Sequence, residues 1–339
     1  MKARGGYAVV VVAVAAVLTA ACSSTTTKTA TNVGGQTYNV AWFSTRSDSY
    51  LAAGLAAGTE EAKKFNIKIT LFDSHLDPNQ EYSQVQDAIT LNRFQGFIIF
   101  PANGPALVPL VEQAVKRGIK VVGYSEPLGV DQYSAAVQVP GVSAEIDTSP
   151  ATRGKWMGEQ MIQACAGLDP CKIAYLAGVA ALATEQGVKA GYEAAIKQHP
   201  NIREVAYLDG TQFTAAGGQK VAGDLLAAHS DVNVIASAGD APTGVILALK
   251  AAGKSFGPGK DQVRVLAAGS PCTTINSINQ GQIYSTQPNA PDEEGRFAVD
   301  ALATALHGSK RAQAIDPVVA GNLPPVISQA NARKFHCEY

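Results

Sequence analysis

The sequence predicts an α/β protein built from two doubly wound, Rossmann-like parallel-sheet domains, and three observations carry that expectation. From Tyr38 onward short apolar runs alternate with stretches of helical spacing, and after a pause around residues 138–150 the same alternation starts again. The apolar runs are nearly continuous, as expected of strands covered by helices on both faces. About 300 residues beyond the N-terminal segment are many for one core and comfortable for two.

In the first half, YNVAWF (38–43) reads as a strand, YLAAGLAAGTEEAKKF (50–65) as a helix and IKITLFD (67–73) as a second strand. The next helix begins with DPNQEYSQVQDAITLNRF, where Asp77 is placed to cap it and Pro78 occupies the first helical position. GFIIFP is a fully apolar strand, GPALVPLVEQAVKRG a helix that ends at Gly118, and IKVVGYS a fourth strand. The second half offers KIAYLAG, REVAYLDG, VNVIASAG and VRVLAAG as strands, with helices near 151–165, 184–198, 214–229 and 241–252. Such alternation produces right-handed βαβ units, whose ligands lie beyond the carboxyl ends of the strands. Here those ends bring STRSDSY, PANG, YSEP, AGVAALATEQ, SAGDAP and AGSPC around one space.

Charge and motifs exclude several functions. With 27 Lys and Arg against 28 Asp and Glu, the formal charge is −1, and loss of Lys2 and Arg4 with an export signal would leave about −3. Such a surface has no electrostatic pull toward nucleic acid or anionic lipid. GKSFGPGKD (253–261) has the wrong glycine spacing for a phosphate loop and precedes a strand instead of following one, so it reads as a surface loop. GYSEP lacks the second glycine of a nucleophile elbow, and neither HExxH nor an N-terminal GxGxxG is present. His75 and His199 sit in turns beside Asp77 and Pro200 and read as solvated. No cofactor is implied, and single scattered His without any CxxC speak against a metal site.

The N-terminus suggests export. Residues 7–21 carry no charge, follow only Lys2 and Arg4, and are too few to span a bilayer. LTAAC (18–22) resembles the bacterial lipobox, with Thr19 where Leu is more usual. That resemblance implies a signal peptide over 1–21, diacylglycerol on Cys22 and a flexible tether over 22–37; plain secretion with an incidental Cys22 is the alternative. Of the other four cysteines, CAGLDPC closes a short loop that would pair Cys165 with Cys171 and leave Cys272 for Cys337. Four free buried thiols are the competing reading.

Two α/β halves, an export signal and no catalytic motif resemble the periplasmic sugar-binding proteins of ABC importers, of the ribose-binding, type I kind. The resemblance covers residues 39 to about 325, through AGLAAGTEEAKKF, DSHLDPNQEYSQVQDAI, GFIIFPANGPALVPLVEQAVKRGIKVV, GYEAAIKQHP, VILALKAAGK and INQGQIYSTQPNAPDEEGRFAVDAL. It implies a three-segment hinge with crossings near Val139, Pro288 and Ala320, hence an N-terminal lobe of 38–139 plus 289–320 and a C-terminal lobe of 140–288 plus 321–339. It also implies a monomeric receptor, not an enzyme, that hands its ligand to permease subunits and touches the membrane only through its anchor. A signal receptor with the same clamshell, or a secreted hydrolase, are the other classes to separate from it.

Carried over residue by residue, the resemblance places ligand contacts at Asp48 and Tyr50, at Ser125 and Glu126, at Gln186 and Phe213, at Asp240, at Ser270 beside Gly269, and at Asn289; Asn103 of the PANG turn and Arg46 join them. Four of these have a plainer reading: Tyr50 as core, Phe213 as a helix staple, Glu126 as a solvated turn and Gln186 as helix surface. The two arginines that usually fork onto sugar hydroxyls fall here on Glu126 and Gln186, which leaves Arg46 as the one nearby cation. Acceptors at Asp48, Glu126 and Asp240 suit a neutral sugar or polyol that donates O–H groups, and would repel a phosphate or a dicarboxylate.

Overall fold

The computed structural model describes residues 35–309 and 311–339; the signal and Cys22 lie outside them. Two six-stranded sheets form, one of order β11-β5-β4-β3-β1-β2 and one of order β12-β10-β9-β8-β6-β7. The first comprises β1 (Tyr38–Ser44), β2 (Ile67–Asp73), β3 (Gly96–Ile99), β4 (Lys120–Tyr124), β5 (Ala144–Ile146) and β11 (Gln313–Ile315). The second comprises β6 (Cys171–Leu176), β7 (Ile202–Leu208), β8 (Val234–Ala238), β9 (Arg264–Ala268), β10 (Ser285–Gln287) and β12 (Ile327–Ser328). All pairings are parallel except the β10–β12 edge.

Strand alternation explains why both sheets are covered on two sides. In β1, Ala41 and Phe43 point into a core with Val85 and Ile89 of α2 (Pro78–Leu91) and Leu107 and Val111 of α3 (Gly104–Lys116). Val40 and Trp42 point the other way, onto Leu51 of α1 (Ser49–Ala62) and Ala298 and Leu302 of α9 (Pro291–Leu306). The second sheet repeats the scheme. Ile173 and Tyr175 meet Met157 of α4 (Pro150–Ala164) and Val188 of α5 (Ala183–Ile196), while Ala174 and Leu176 meet Ala222 of α6 (Ala215–Ala228) and Val245 of α7 (Ala241–Ala251). Each fully buried Leu, Ile or Phe contributes roughly 1.5–3 kcal/mol, so the four apolar layers hold the two sheets independently. Glycines let the outer helices approach closely: a Cβ on Gly295 of α9 would overlap the carbonyl oxygen of Gly54 of α1, and one on Gly191 of α5 would overlap Gly154 of α4.

Local signals act as expected at the helix starts. Asp77 accepts from the backbone N–H groups of Asn79 and Gln80 with Pro78 following, and Gly118 at φ +86° ends the turn after α3. Cys165 and Cys171 lie as a bonded pair with Cα atoms 5.6 Å apart, and Cys272, at the start of α8 (Cys272–Asn279), pairs with Cys337 at 5.1 Å.

The chain crosses between the sheets three times. The first crossing lies between Ile146 and Pro150, later than the Val139 expected, because the short strand β5 is buried inside the first sheet between β4 and β11. The second lies between Gln287 and Pro291, and the third follows α10 (Pro317–Ala320) before β12. The crossings are tied together. Arg153 donates through Nη1 to Asn289 Oδ1 at 3.0 Å and through Nε to the Thr148 carbonyl at 3.0 Å, and Thr148 Oγ1 donates to Asp316 Oδ1 at 2.6 Å. One buried guanidinium thus joins the first two crossings, and a threonine joins the first to the third.

Candidate functional site

The loops at the carboxyl ends of both sheets face each other and enclose a cavity. Its volume is about 80 Å³, room for a few waters or a small polar solute. The first sheet supplies Arg46, Asp48, Tyr50, Phe100, Ser125 and Glu126. The second supplies Tyr175, Thr184, Glu185, Phe213 and Asp240, and the hinge adds Arg153 and Asn289.

Each side chain is fixed by its local fold. Asp48 caps α1, accepting from Leu51 N–H at 3.0 Å through one oxygen while the other pairs with Arg46 Nε. The Arg46 guanidinium is stacked between rings from the two sides, 5.1 Å from the Phe100 centroid and 4.5 Å from that of Phe213. Its Nη1 is buried without a hydrogen-bond partner among the described residues, a donor free for a ligand oxygen. Tyr50 hydrogen-bonds Ser125 Oγ at 2.8 Å and donates to Glu294, which turns its hydroxyl into the first lobe and leaves its ring as cavity wall. Ser125 sits at φ +63° and Phe213 at φ +57°, left-handed positions at the strand-end turns that aim these side chains at the cavity.

Glu126 is 4% exposed and accepts from Thr184 N–H across the cleft at 3.0 Å. Burial pushes its carboxyl up, opposed by the Thr184 bonds and by Arg46. Glu185 accepts from Gly178 N–H at 2.9 Å and is raised by burial to about 7. Behind the cavity, Arg153 faces Glu294 at 3.8 Å and Asp147 at 4.0 Å, both carboxylates fully buried. Burial holds Glu294 near 7 and lifts Asp147 well above the usual carboxylate range, with Arg153 pulling both down. Asp240 accepts from Thr273 Oγ1 at 2.9 Å and from Ser49 Oγ at 3.4 Å, the latter across the cleft.

Of the residues expected here, Arg46, Asp48, Tyr50, Ser125, Glu126, Phe213, Asp240 and Asn289 line the cavity. Three do not. Asn103 is exposed and caps α3 through Ala106 N–H; Gln186 is exposed, donates to the Ala181 carbonyl and lines a groove outside the cleft. Gln186 points away because residues on α5 rotate by about 100° each, so Thr184 and Val188 share the inner face with Glu185 while Gln186 leaves it. Ser270 is buried one layer back, bonded to both the N–H and the carbonyl of Asn289, and supports that residue instead of facing the cavity. Arg46 is also not the sole cation, since Arg153 lines the same space. Arg153 and Tyr339 were not legible as site residues: the first lies in a helix that reads as ordinary α/β cover and the second beyond any periodic element, whereas Glu185 lies in AGVAALATEQ, a stretch expected at the site, beside the Gln186 expected there.

Comparisons place the chain among known proteins. The model of a periplasmic binding protein domain matches residues 39–310. The ribose import binding protein of Escherichia coli K12 is 25% identical over 269 residues, 79% of this chain and 84% of that protein. An ABC transporter solute-binding protein from Bacillus halodurans C-125, solved with bound myo-inositol, superposes with a TM-score of 0.76 at 19% identity, over 91% of this chain and 100% of that one. A Mycobacterium smegmatis protein in complex with β-D-fucofuranose does so with a TM-score of 0.75 at 18% identity, over 88% and 93% of the two chains. The chain belongs to the periplasmic binding protein family and is a solute-binding protein, not an enzyme.

Proposed function

We propose that this protein is the extracytoplasmic receptor of an ABC importer, taking a small neutral sugar or polyol into the cleft and delivering it to a membrane permease. One observation carries the reading: the cavity is walled by rings from both lobes, Tyr50 and Phe100 from one and Phe213 from the other, and its polar groups mix carboxylate acceptors with two guanidinium donors. A polyhydroxy solute both donates and accepts at every hydroxyl and offers C–H faces to the rings, so it satisfies such a site without bringing charge. Its contacts reach both lobes, so they are complete only in the closed arrangement, and that differential affinity stabilises closure. The names of the relatives, a ribose import protein and proteins solved with myo-inositol and a fucofuranose, support this ligand class.

The location follows from the same reading. Among the described residues no helix is long and apolar enough to cross a membrane, so the proposed attachment is the lipid on Cys22 followed by the tether to about residue 37. Both cysteine pairs are proposed as disulfides of an oxidising compartment. The receptor acts as a monomer of two discontinuous lobes.

Thermal melting against pentoses, hexoses, polyols, amino acids, nucleosides and anions tests the reading. A ligand at a thousandfold excess over its Kd stabilises by about 4 kcal/mol, so one neutral polyhydroxy compound should raise the midpoint by several degrees. A rise given only by amino acids, nucleosides or anions would overturn it.

A further inference from the structure

One wall of the cavity comes from a segment outside every helix and strand, Phe335–Tyr339. Its path is pinned on both sides. Phe335 and Cys337 pack against the second-lobe core, Cys337 is bonded to Cys272, and Cys272 N–H donates to the Tyr339 carbonyl at 2.6 Å. Toward the first lobe, Asp292 N–H at the start of α9 donates to Glu338 Oε2 at 2.8 Å. The Tyr339 ring then stands edge-on to Tyr50 at 5.7 Å, and its hydroxyl accepts from Asn289 Nδ2 at 3.3 Å. Gly269, at φ +113° after β9, leaves the room: a Cβ there would lie 3.3 Å from the Tyr339 hydroxyl and 3.2 Å from Asn289 Nδ2. The polar group at this strand end is therefore brought in by the segment and not by the strand's own turn.

We infer that Tyr339 contacts the ligand and sets its selectivity, and that the Cys272–Cys337 pair is what positions it; the inference rests on the sugar-cleft reading above. The phenol oxygen receives a hydrogen bond from Asn289, so its own proton is left to donate to a ligand oxygen. In a cavity supplied with carboxylate acceptors, that makes Tyr339 a neutral donor attached to an apolar ring. A ligand with an oxygen at that place is favoured over its deoxy analogue, because a buried donor left without a partner is costly.

The test is calorimetric titration of the mature chain and of Tyr339→Phe, Tyr339→Ala and the Cys272→Ser/Cys337→Ser double variant. The probes are D-ribose, myo-inositol and D-fucose, the deoxy analogue of whichever binds, and a set of amino acids and nucleosides. Tyr339→Phe should bind the preferred compound about three- to tenfold more weakly, bind its deoxy analogue more tightly than the wild type does because no buried donor is then left unpartnered, and melt unliganded within about 2 °C of wild type. Tyr339→Ala and the double variant should lose at least tenfold. If a sugar binds and Tyr339→Ala retains wild-type affinity, the inference is overturned and the sugar reading stands. If only an amino acid or nucleoside binds and Tyr339→Ala weakens it, the role of the segment stands and the sugar reading falls. Tyr339→Ala leaves the cysteine pair untouched, so failure of the double variant to fold does not remove the test.

Discussion

Arg153→Ala is expected to destabilise the protein by about 3–5 kcal/mol at pH 8, the usual consequence of removing one partner from a buried ion pair. The side chain is 9% exposed and faces Asp147 and Glu294, neither of which reaches solvent. It also holds Asn289 and the Thr148 carbonyl, so the loss falls where two crossings meet. The deficit should depend on pH. Burial raises Glu294 to about 7, so between the ordinary carboxylate value near 4.3 and pH 7 the folded state binds a proton that the unfolded state does not. Stability from this group is therefore full below about pH 4 and is lost as pH rises through 7. Without the guanidinium, Glu294 and Asp147 move further up, which extends the loss to higher pH. Urea unfolding should show a smaller difference between variant and wild type at pH 5, where the lost hydrogen bonds to Asn289 and Thr148 account for it, and a larger one at pH 8; equal deficits would mean that the pairing is not ionic.

Glu126→Ala should weaken binding of the preferred sugar or polyol about ten- to hundredfold, the range for losing a hydrogen bond to a charged group. The carboxylate lines the cavity and is at the same time the acceptor for Thr184 N–H on the opposite lobe, so its removal costs a ligand contact and a contact of the closed form. Glu126→Gln keeps an acceptor for Thr184 and should lose less. The unliganded midpoint should barely move, since Glu126 belongs to a strand-end turn and not to a core layer. Calorimetric affinities of Glu126→Ala and Asp48→Ala that match wild type would place the site elsewhere.

Much of the fold was legible because burial of both sheet faces writes itself as continuous apolar runs. The eight long strands and the helices between them follow from that pattern and from caps such as Asp77-Pro78. The strands that escaped, β5, β10, β11 and β12, are two or three residues long and lie at the crossings or edges. SAEIDTSP reads as a polar pause because Glu145 and Asp147 interrupt it, although both carboxylates are fully buried around the hinge. Charge in a sequence signals solvent until its partner is known: Asp147 faces Arg153 on the next helix, and Glu145 accepts from Leu128 N–H at 3.3 Å. The same limit applies to the site. Turns after strands, such as Arg46–Tyr50 and Ser125-Glu126, are placed by topology alone, whereas the direction of a helical residue depends on a rotation that a one-residue register error spoils, as at Gln186. Tyr339 carried no periodic signal; only Cys337 beside it hinted that the segment is anchored.

The most direct test of a neutral polyhydroxy ligand held between the lobes is a crystal structure of the mature chain with the compound that raises its melting midpoint most. The expected result is one molecule between the rings of Tyr50 and Phe213, with its hydroxyls on Asp48, Glu126 and the Arg46 and Arg153 guanidinium groups. Density for that compound outside the cleft, or touching one lobe alone, would contradict it.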